Sequence, residues 1–191
     1  QERIYVADEY LHRISVFDTE GRFLKKWGTF GMEEGEIDGP SGLAFDSDDN
    51  LYLVDQNNHR IQKCTAGGEF LMAWGEEGSG EGQFNMPWGI TLDSEGNVYV
   101  ADWRNDRIQK FTSDGEFLAV FGEPGDGDGQ LSRPSSVAVD GDGNVYVADW
   151  GNERVQVFGP SGEFMLKLRG QSTVSKWGAE FLESNPDEKQ E

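Results

Sequence analysis

Cysteine, histidine and basic residues are scarce in this chain, and each scarcity excludes a class of function. The 191 residues include one cysteine, two histidines, and 16 lysines and arginines against 36 aspartates and glutamates. A single cysteine cannot form an intramolecular disulfide, and one cysteine with two histidines is too few for the Cys and His clusters of typical zinc sites. The formal net charge of −20 repels phosphate backbones, so we expect no nucleic-acid partner.

Long apolar stretches and catalytic motifs are missing as well. No run approaches the ~20 apolar residues of a membrane-spanning helix, so we expect no membrane partner. The sequence contains no nucleophile elbow, no phosphate-binding loop and no Cys-x-x-Cys pair. We therefore expect no cofactor, no metal site and no catalytic residue within this chain, although this alone does not decide whether the protein is an enzyme.

Four copies of one pattern occupy the chain instead. Each copy contains an apolar–Tyr–apolar–Ala/Val–Asp run, and the runs end at Asp8, Asp55, Asp102 and Asp149, which are 47 residues apart. A fixed period of this length is typical of propellers and solenoids built from one supersecondary unit per repeat.

The second copy predicts four short strands, at residues 41–46, 50–55, 60–64 and 69–74. Each is bounded by Gly, Asp, Asn or Pro. Connections of three or four residues allow only antiparallel neighbours, so the unit is a four-stranded meander, the blade of a β-propeller. The first two strands are apolar at nearly consecutive positions, which predicts cover on both faces by neighbouring blades. The third strand alternates, so we expect it nearer the exposed rim.

The twelve-residue links between blades also repeat, at residues 29–40, 76–87 and 123–134. Each link ends in proline and carries one apolar residue at a fixed place, Ile37, Phe84 or Leu131. We predict that this residue plugs the core and that the proline begins the innermost strand, where a missing N–H is tolerated.

The residues after each Asp marker carry a family resemblance. Residues 58–61 read Asn-His-Arg-Ile, which resembles the NHL repeat, and the other copies read Leu-His-Arg-Ile, Asn-Asp-Arg-Ile and Asn-Glu-Arg-Val. The resemblance covers roughly residues 3 to 170. It implies a β-propeller, usually of six blades in this family.

We therefore predict an all-β protein, a β-propeller of four-stranded antiparallel blades with about 3.75 blades in an open arc. The expected blades are residues 1–28 (partial), 40–75, 87–122 and 134–169, within a repeat region of 1–170. Residues 171–191 are expected to hold a short amphipathic helix and an acidic tail. Because the first copy lacks its innermost strand, we expect the chain to be a fragment of a longer, six-bladed protein.

Features present in every blade are predicted to be structural. They include four acid–arginine pairs five residues apart, which we expect to lock the hairpin as bidentate pairs or turn hydrogen bonds: Asp8–Arg13, Asp55–Arg60, Asp102–Arg107 and Asp149–Arg154. The acidic turns at 46–50, 93–97 and 140–144 resemble the start of a calcium loop but lack its final bidentate acid. Cys64 stands where other copies have Phe, so we expect a buried filler.

Residues that break the repeat are the candidates for binding. They are Trp88, Trp103, Arg104, Trp150, Tyr10 and Asn57. Trp88 directly follows a link, and the others lie in connections from strand two to strand three. These segments share one side of a propeller. Exposed Trp, Tyr and Arg commonly anchor interfaces. The alternative is that these rings only shield the top of the core.

These observations favour a non-catalytic binding scaffold for a protein or peptide, with a small molecule as a further possibility. The alternative is a fragment of a propeller lyase or hydrolase, an activity that the resemblance implies, whose catalytic or metal residues would lie in blades outside this chain. RNA binding occurs in the NHL domains of tripartite-motif ubiquitin ligases, but the charge of −20 disfavours it here.

Overall fold

The computed structural model describes residues 2–169, which form four antiparallel sheets in chain order. The first blade contains β1 (Arg3–Asp8), β2 (Arg13–Asp18) and β3 (Phe23–Trp27). The second contains β4 (Pro40–Phe45), β5 (Asn50–Asp55), β6 (Arg60–Thr65) and β7 (Phe70–Trp74). The third contains β8 (Pro87–Leu92), β9 (Val98–Asp102), β10 (Arg107–Phe111) and β11 (Phe117–Phe121).

A short parallel pair, β12 (Glu123–Pro124) and β13 (Gln130–Leu131), folds the link before the last blade. That blade contains β14 (Pro134–Val139), β15 (Val145–Asp149), β16 (Arg154–Phe158) and β17 (Phe164–Leu168). The innermost strands β4, β8 and β14 contact one another in series. The predicted all-β arc of meander blades is confirmed, and the predicted helix within 171–191 lies outside the described residues.

The core consists of three layers, one between each pair of neighbouring blades. Strand β5 shows how they form, because Leu51 and Leu53 pack towards the first blade while Tyr52 and Val54 pack towards the third. Successive side chains of a strand point to opposite faces. A strand that is apolar at consecutive positions therefore serves two layers at once, as predicted.

The third strand lies nearer the rim, as predicted, but the expectation that it is more exposed than the innermost strand is wrong. Ile61, Gln62 and Cys64 of β6 are buried, whereas most of the innermost strand β4 is only partly buried. The physical reason is position. Strand β6 has a paired strand on each side, whereas β4 is at the inner edge of its sheet and pairs only with β5.

The links between blades follow the prediction. Ile37, Phe84 and Leu131 are each at most 1% exposed, and the proline of each link begins an innermost strand. Gly75 makes room for Phe84, since a Cβ added to it would lie 2.6 Å from that ring. Its φ of 100° also favours glycine.

The two ends of the arc present apolar side chains. Ile4 and Val6 of the first blade are 47% and 43% exposed, and Leu166 and Leu168 of the last blade are 44% and 55% exposed. Ile4 and Val6 occupy the repeat positions of the fully buried Leu51 and Leu53. Among residues 2–169, no helix is long and apolar enough to cross a membrane.

Candidate functional site

In the second, third and fourth blades, a buried aspartate holds the preceding link. Asp55 is 0% exposed; its Oδ1 accepts the backbone N–H of Asp38 at 2.7 Å, and its Oδ2 accepts Arg60 Nε at 2.7 Å and Gln62 Nε2 at 2.9 Å. Asn58 donates to the same carboxylate. The third and fourth blades repeat this arrangement around Asp102 and Asp149.

In the second, third and fourth blades, the arginine of the pair divides its donors between the carboxylate and the link. Arg60 Nε contacts Asp55, but its two terminal nitrogens donate to the carbonyls of Met32, Glu33 and Glu36 at 2.8, 2.9 and 3.0 Å. The pair with the carboxylate is therefore a single hydrogen bond, and of the two predicted forms the bidentate one is wrong. Arg107 and Arg154 make the equivalent contacts. The planar guanidinium ties three carbonyls to one buried charge.

Sequence reasoning overlooked the glutamine of this network. Gln62, Gln109 and Gln156 are nearly fully buried, and each donates to both its aspartate and a link carbonyl. The signal was available, because a Gln follows the Asp marker by seven residues in three copies, with Ser15 in the first. For Asp102, burial raises the pKa, although donors from Asn85, Asn105 and Arg107 favour the carboxylate.

The position named for histidine in the NHL motif supplies a hydrogen-bond acceptor. His12 Nδ1 accepts the N–H of Gly39 at 3.1 Å, and Asp106 Oδ1 accepts that of Arg133 at 2.7 Å. Each accepted N–H belongs to the residue directly before the proline that ends the next link. That residue, Gly39 or Arg133, has a positive φ. The structure thus explains why aspartate can replace histidine here: the position needs an acceptor, not an imidazole.

Links and strand two–three connections lie side by side and form what we call the loop face. Three short 3₁₀ turns, Gln56–Asn58, Trp103–Asn105 and Trp150–Asn152, supply one part of it. The backbone N–H of Arg104 donates to Asn85 O at 3.0 Å, and that of Gly151 donates to Ser132 O at 2.8 Å. The two kinds of segment therefore share one side of the arc.

Three of the six repeat-breaking residues meet at one point of the loop face. The rings of Trp88 and Trp103 are 5.6 Å apart and nearly perpendicular. The guanidiniums of Arg104 and Arg133 lie 5.5 and 5.3 Å from the Trp103 ring centre. We call these four residues the Trp103 cluster. Trp88 remains 40% exposed, so the cluster has an accessible aromatic edge beside two positive charges.

The other three candidates lie elsewhere. Tyr10, which is 88% exposed, and Asn57 line a shallow depression with Glu9 and His12. Trp150, 60% exposed, borders a separate one. The structure thus divides the predicted site into three places, of which the Trp103 cluster is the one with paired rings.

Arg133 of the cluster was missed by sequence reasoning. The rule that repeat-breaking residues are candidates would have found it, because Gly39 and Met86 occupy its position in the other links.

In the acidic turns between strands one and two, the first aspartate accepts hydrogen bonds from residues of its own turn. Asp140 Oδ1 accepts the N–H groups of Asp142 and Asn144, and its Oδ2 accepts the Asn144 side chain at 2.9 Å. These bonds, led by that of the Asn144 side chain, hold the pKa of Asp140 below its usual range. Within residues 2–169, no three His, Cys, Asp or Glu side chains are grouped so as to hold a metal ion.

The sequence model of the NHL repeat matches residues 38–64, 84–111 and 131–158. These segments run from each link through the third strand of its blade and contain the Asp, Asn, Arg and Gln of the network described above. The chain contains three NHL repeats. In the NHL repeats of this chain, the motif residues hold the link to its blade and face inward, so they differ from the exposed residues of the loop face.

Solved propellers share the fold at low sequence identity. A streptogramin B lyase superposes with a TM-score of 0.68 at 18% identity, over 90% of this chain and 52% of its own. Virginiamycin B lyase from Staphylococcus aureus gives 0.65 at 16%, over 88% and 52%. A Bacteroides caccae protein of unknown function gives 0.64 at 14%, over 87% and 57%. The chain thus spans about half the length of these proteins. No curated protein matches its sequence.

Proposed function

We propose that this NHL-repeat chain is a non-catalytic scaffold that binds a protein or peptide through its loop face. The observation that carries the proposal is the Trp103 cluster, where an exposed tryptophan edge adjoins two arginines. Aromatic and arginine side chains dominate the binding energy of characterised interfaces. The network beneath the loop face holds the links rigidly, which lowers the ordering cost of binding.

The exposure of the aromatic residues argues against a purely structural role. Trp27 and Trp74, in the outermost strands, pack into layers between blades. Trp88, Trp150 and Tyr10 instead present 40%, 60% and 88% of their surface. Exposure of this extent makes these rings accessible to a partner on the loop face.

The lyase activity of two solved neighbours does not carry over to this chain. At 18% and 16% identity the likeness concerns the fold, and a propeller fold hosts unrelated functions. The repeated acidic residues and arginines of the described residues form hydrogen bonds with one another and with the backbone. They support a scaffold better than a reaction centre.

Selection from a displayed random-peptide library tests the proposal. We expect enriched peptides to bind the wild-type chain, and Trp88→Ala and Trp150→Ala to reduce their binding. Asp114→Ala is the matched control, because Asp114 is exposed on a turn between strands three and four, at the opposite side of the blade. Circular dichroism verifies that each variant folds. Enriched peptides that bind both tryptophan variants as well as wild type would overturn the loop face as the site.

A further inference from the structure

We propose that the Trp103 cluster binds a carboxylate of an acidic peptide segment, with an apolar side chain of that segment resting on Trp88. The inference rests on the proposed function and names the chemistry of its partner. It begins with how the arginines are used. Arg13, Arg22, Arg60, Arg107 and Arg154 all form ion pairs.

Arg104 and Arg133 differ from those arginines. Among the residues that the structure describes, neither guanidinium has a carboxylate within ion-pair distance or donates a hydrogen bond. Both residues are exposed. A guanidinium carries five N–H donors arranged to match a carboxylate. Within the described residues, the cluster therefore offers two guanidinium groups without a hydrogen-bond or ion-pair partner, in a chain whose acidic residues outnumber its basic ones.

The guanidiniums of Arg104 and Arg133 both lie near the ring of Trp103. Both guanidiniums lie within 5.5 Å of the Trp103 ring centre, so each gains a cation–π attraction. Two like charges held near one ring also repel each other. A carboxylate that contacts either guanidinium reduces that repulsion and gains charge-assisted hydrogen bonds, so the two charges favour an anionic group.

The backbone at both arginines is fixed before any partner arrives. The N–H of Arg104 donates to Asn85 O at 3.0 Å, and the N–H of Arg133 donates to Asp106 Oδ1 at 2.7 Å. Asp106 is thus an acidic residue next to the cluster, and its Oδ1 accepts a backbone hydrogen bond. Fixed attachment points reduce the entropy lost on binding.

The arrangement occurs at one blade boundary. The positions equivalent to Arg104 hold Tyr10, Asn57 and Gly151, and those equivalent to Arg133 hold Gly39 and Met86. No other described boundary carries an arginine at either position. A charge that the repeat does not require is better explained by a partner than by folding.

The occupant is a peptide rather than a nucleic acid or a free ion. A polyphosphate chain would meet the net charge of −20 along its length, whereas at physiological salt a single carboxylate is screened from acids beyond about 8 Å. Trp88 is 40% exposed and its ring lies 5.6 Å from Trp103. It adds an apolar contact that a bare anion cannot use. We therefore infer Asp or Glu adjacent to an apolar side chain.

The test uses the full chain and two capped peptides that differ only in charge, one containing Glu-Leu-Glu and the other Gln-Leu-Gln. Binding is followed by tryptophan fluorescence and by NMR shifts of the indole N–H groups. We expect the acidic peptide to bind at least about 10-fold more tightly, and Arg104→Gln and Arg133→Gln each to remove about 10-fold. Lys26→Gln, an exposed site on β3, removes one charge elsewhere and is expected to change nothing.

Equal binding of the two peptides, or acidic-peptide binding that survives the double arginine variant, would overturn this inference. Acetate and inorganic phosphate are run alongside; if either competes as well as the peptide, the site is for small anions and the peptide assignment is wrong. The two proposals can be told apart. Library peptides without acidic residues whose binding still requires Trp88 would support the scaffold and refute the carboxylate site.

Discussion

The Nδ1 atom of His59 accepts the backbone N–H of Met86, 27 residues further along the chain, at 3.1 Å. This bond joins the strand two–three connection of the second blade to the link that begins the third. Met86 has a φ of 54°, which is uncommon for a residue other than glycine. The acceptor therefore helps to hold a strained residue directly before Pro87 on the loop face.

Replacing His59 tests whether acceptor chemistry is what matters. His59→Leu leaves the Met86 N–H without its partner, and we expect a loss of about 1–3 kcal/mol in the free energy of unfolding. His59→Asp retains an acceptor, as Asp106 does in the next blade, and is expected to lose less. Urea unfolding measures both. Equal losses would show that the imidazole ring contributes more through packing than through this bond.

Arg107→Lys tests the guanidinium that ties the third link to its blade. Lysine can pair with Asp102 but cannot also reach Ser79, Gly80 and Gln83, whose carbonyls Arg107 now satisfies. We expect a loss of about 2–3 kcal/mol, measured by urea unfolding.

Arg13→Lys is the matched control, since within the described residues Asp8 is the only hydrogen-bond and ion-pair partner of the Arg13 side chain. Its loss is expected to stay below about 1 kcal/mol. A control loss as large as that of Arg107→Lys would mean that the pair with aspartate, not the contacts with the link, carries the stabilisation.

Cys64 is expected to be inert in the folded protein. It is 3% exposed, its Sγ lies 3.4 Å from Leu51 O, and burial raises the pKa of its thiol to about 12. The nucleophile is the thiolate, so a disulfide reagent at pH 8 should label the protein only when it opens. Labelling is compared in native buffer and in 6 M urea. Rapid labelling in native buffer would contradict the buried filler role.

The apolar ends of the arc are expected to promote self-association. Leu166 and Leu168 are 44% and 55% exposed, while Phe121, the repeat equivalent of Leu168, is 1% exposed between two blades. Burial of such side chains stabilises contacts between molecules by about 25 cal/mol per Å². We expect Leu166→Glu with Leu168→Glu to lower the sedimentation-average mass at high concentration. Glu123→Lys, at an exposed link residue, serves as control, and an unchanged mass in the double variant would exclude this end as the contact.

The sequence predicted the blades well because their information is local and repeated. The strand pattern, the plug residues such as Phe84, and the acid–arginine pairs recur every 47 residues, so each copy supports the reading of the others. Prediction of burial within a blade was poorer. Strand β6 (Arg60–Thr65) carries more polar residues than β4 (Pro40–Phe45) and is nevertheless the more buried of the two, because β6 has a paired strand on each side whereas β4 is at the edge of its sheet.

The sequence by itself determined the repeat, the antiparallel meander and the residues that depart from the pattern, because turn chemistry and alternation act between near neighbours. The tertiary structure decided which departures belong together. It placed Arg133 on the ring of Trp103, 30 residues earlier in the chain, and left Trp150 in a separate depression. The reason is geometric: contacts across a blade boundary depend on how two sheets pack, and one-dimensional spacing does not contain that angle.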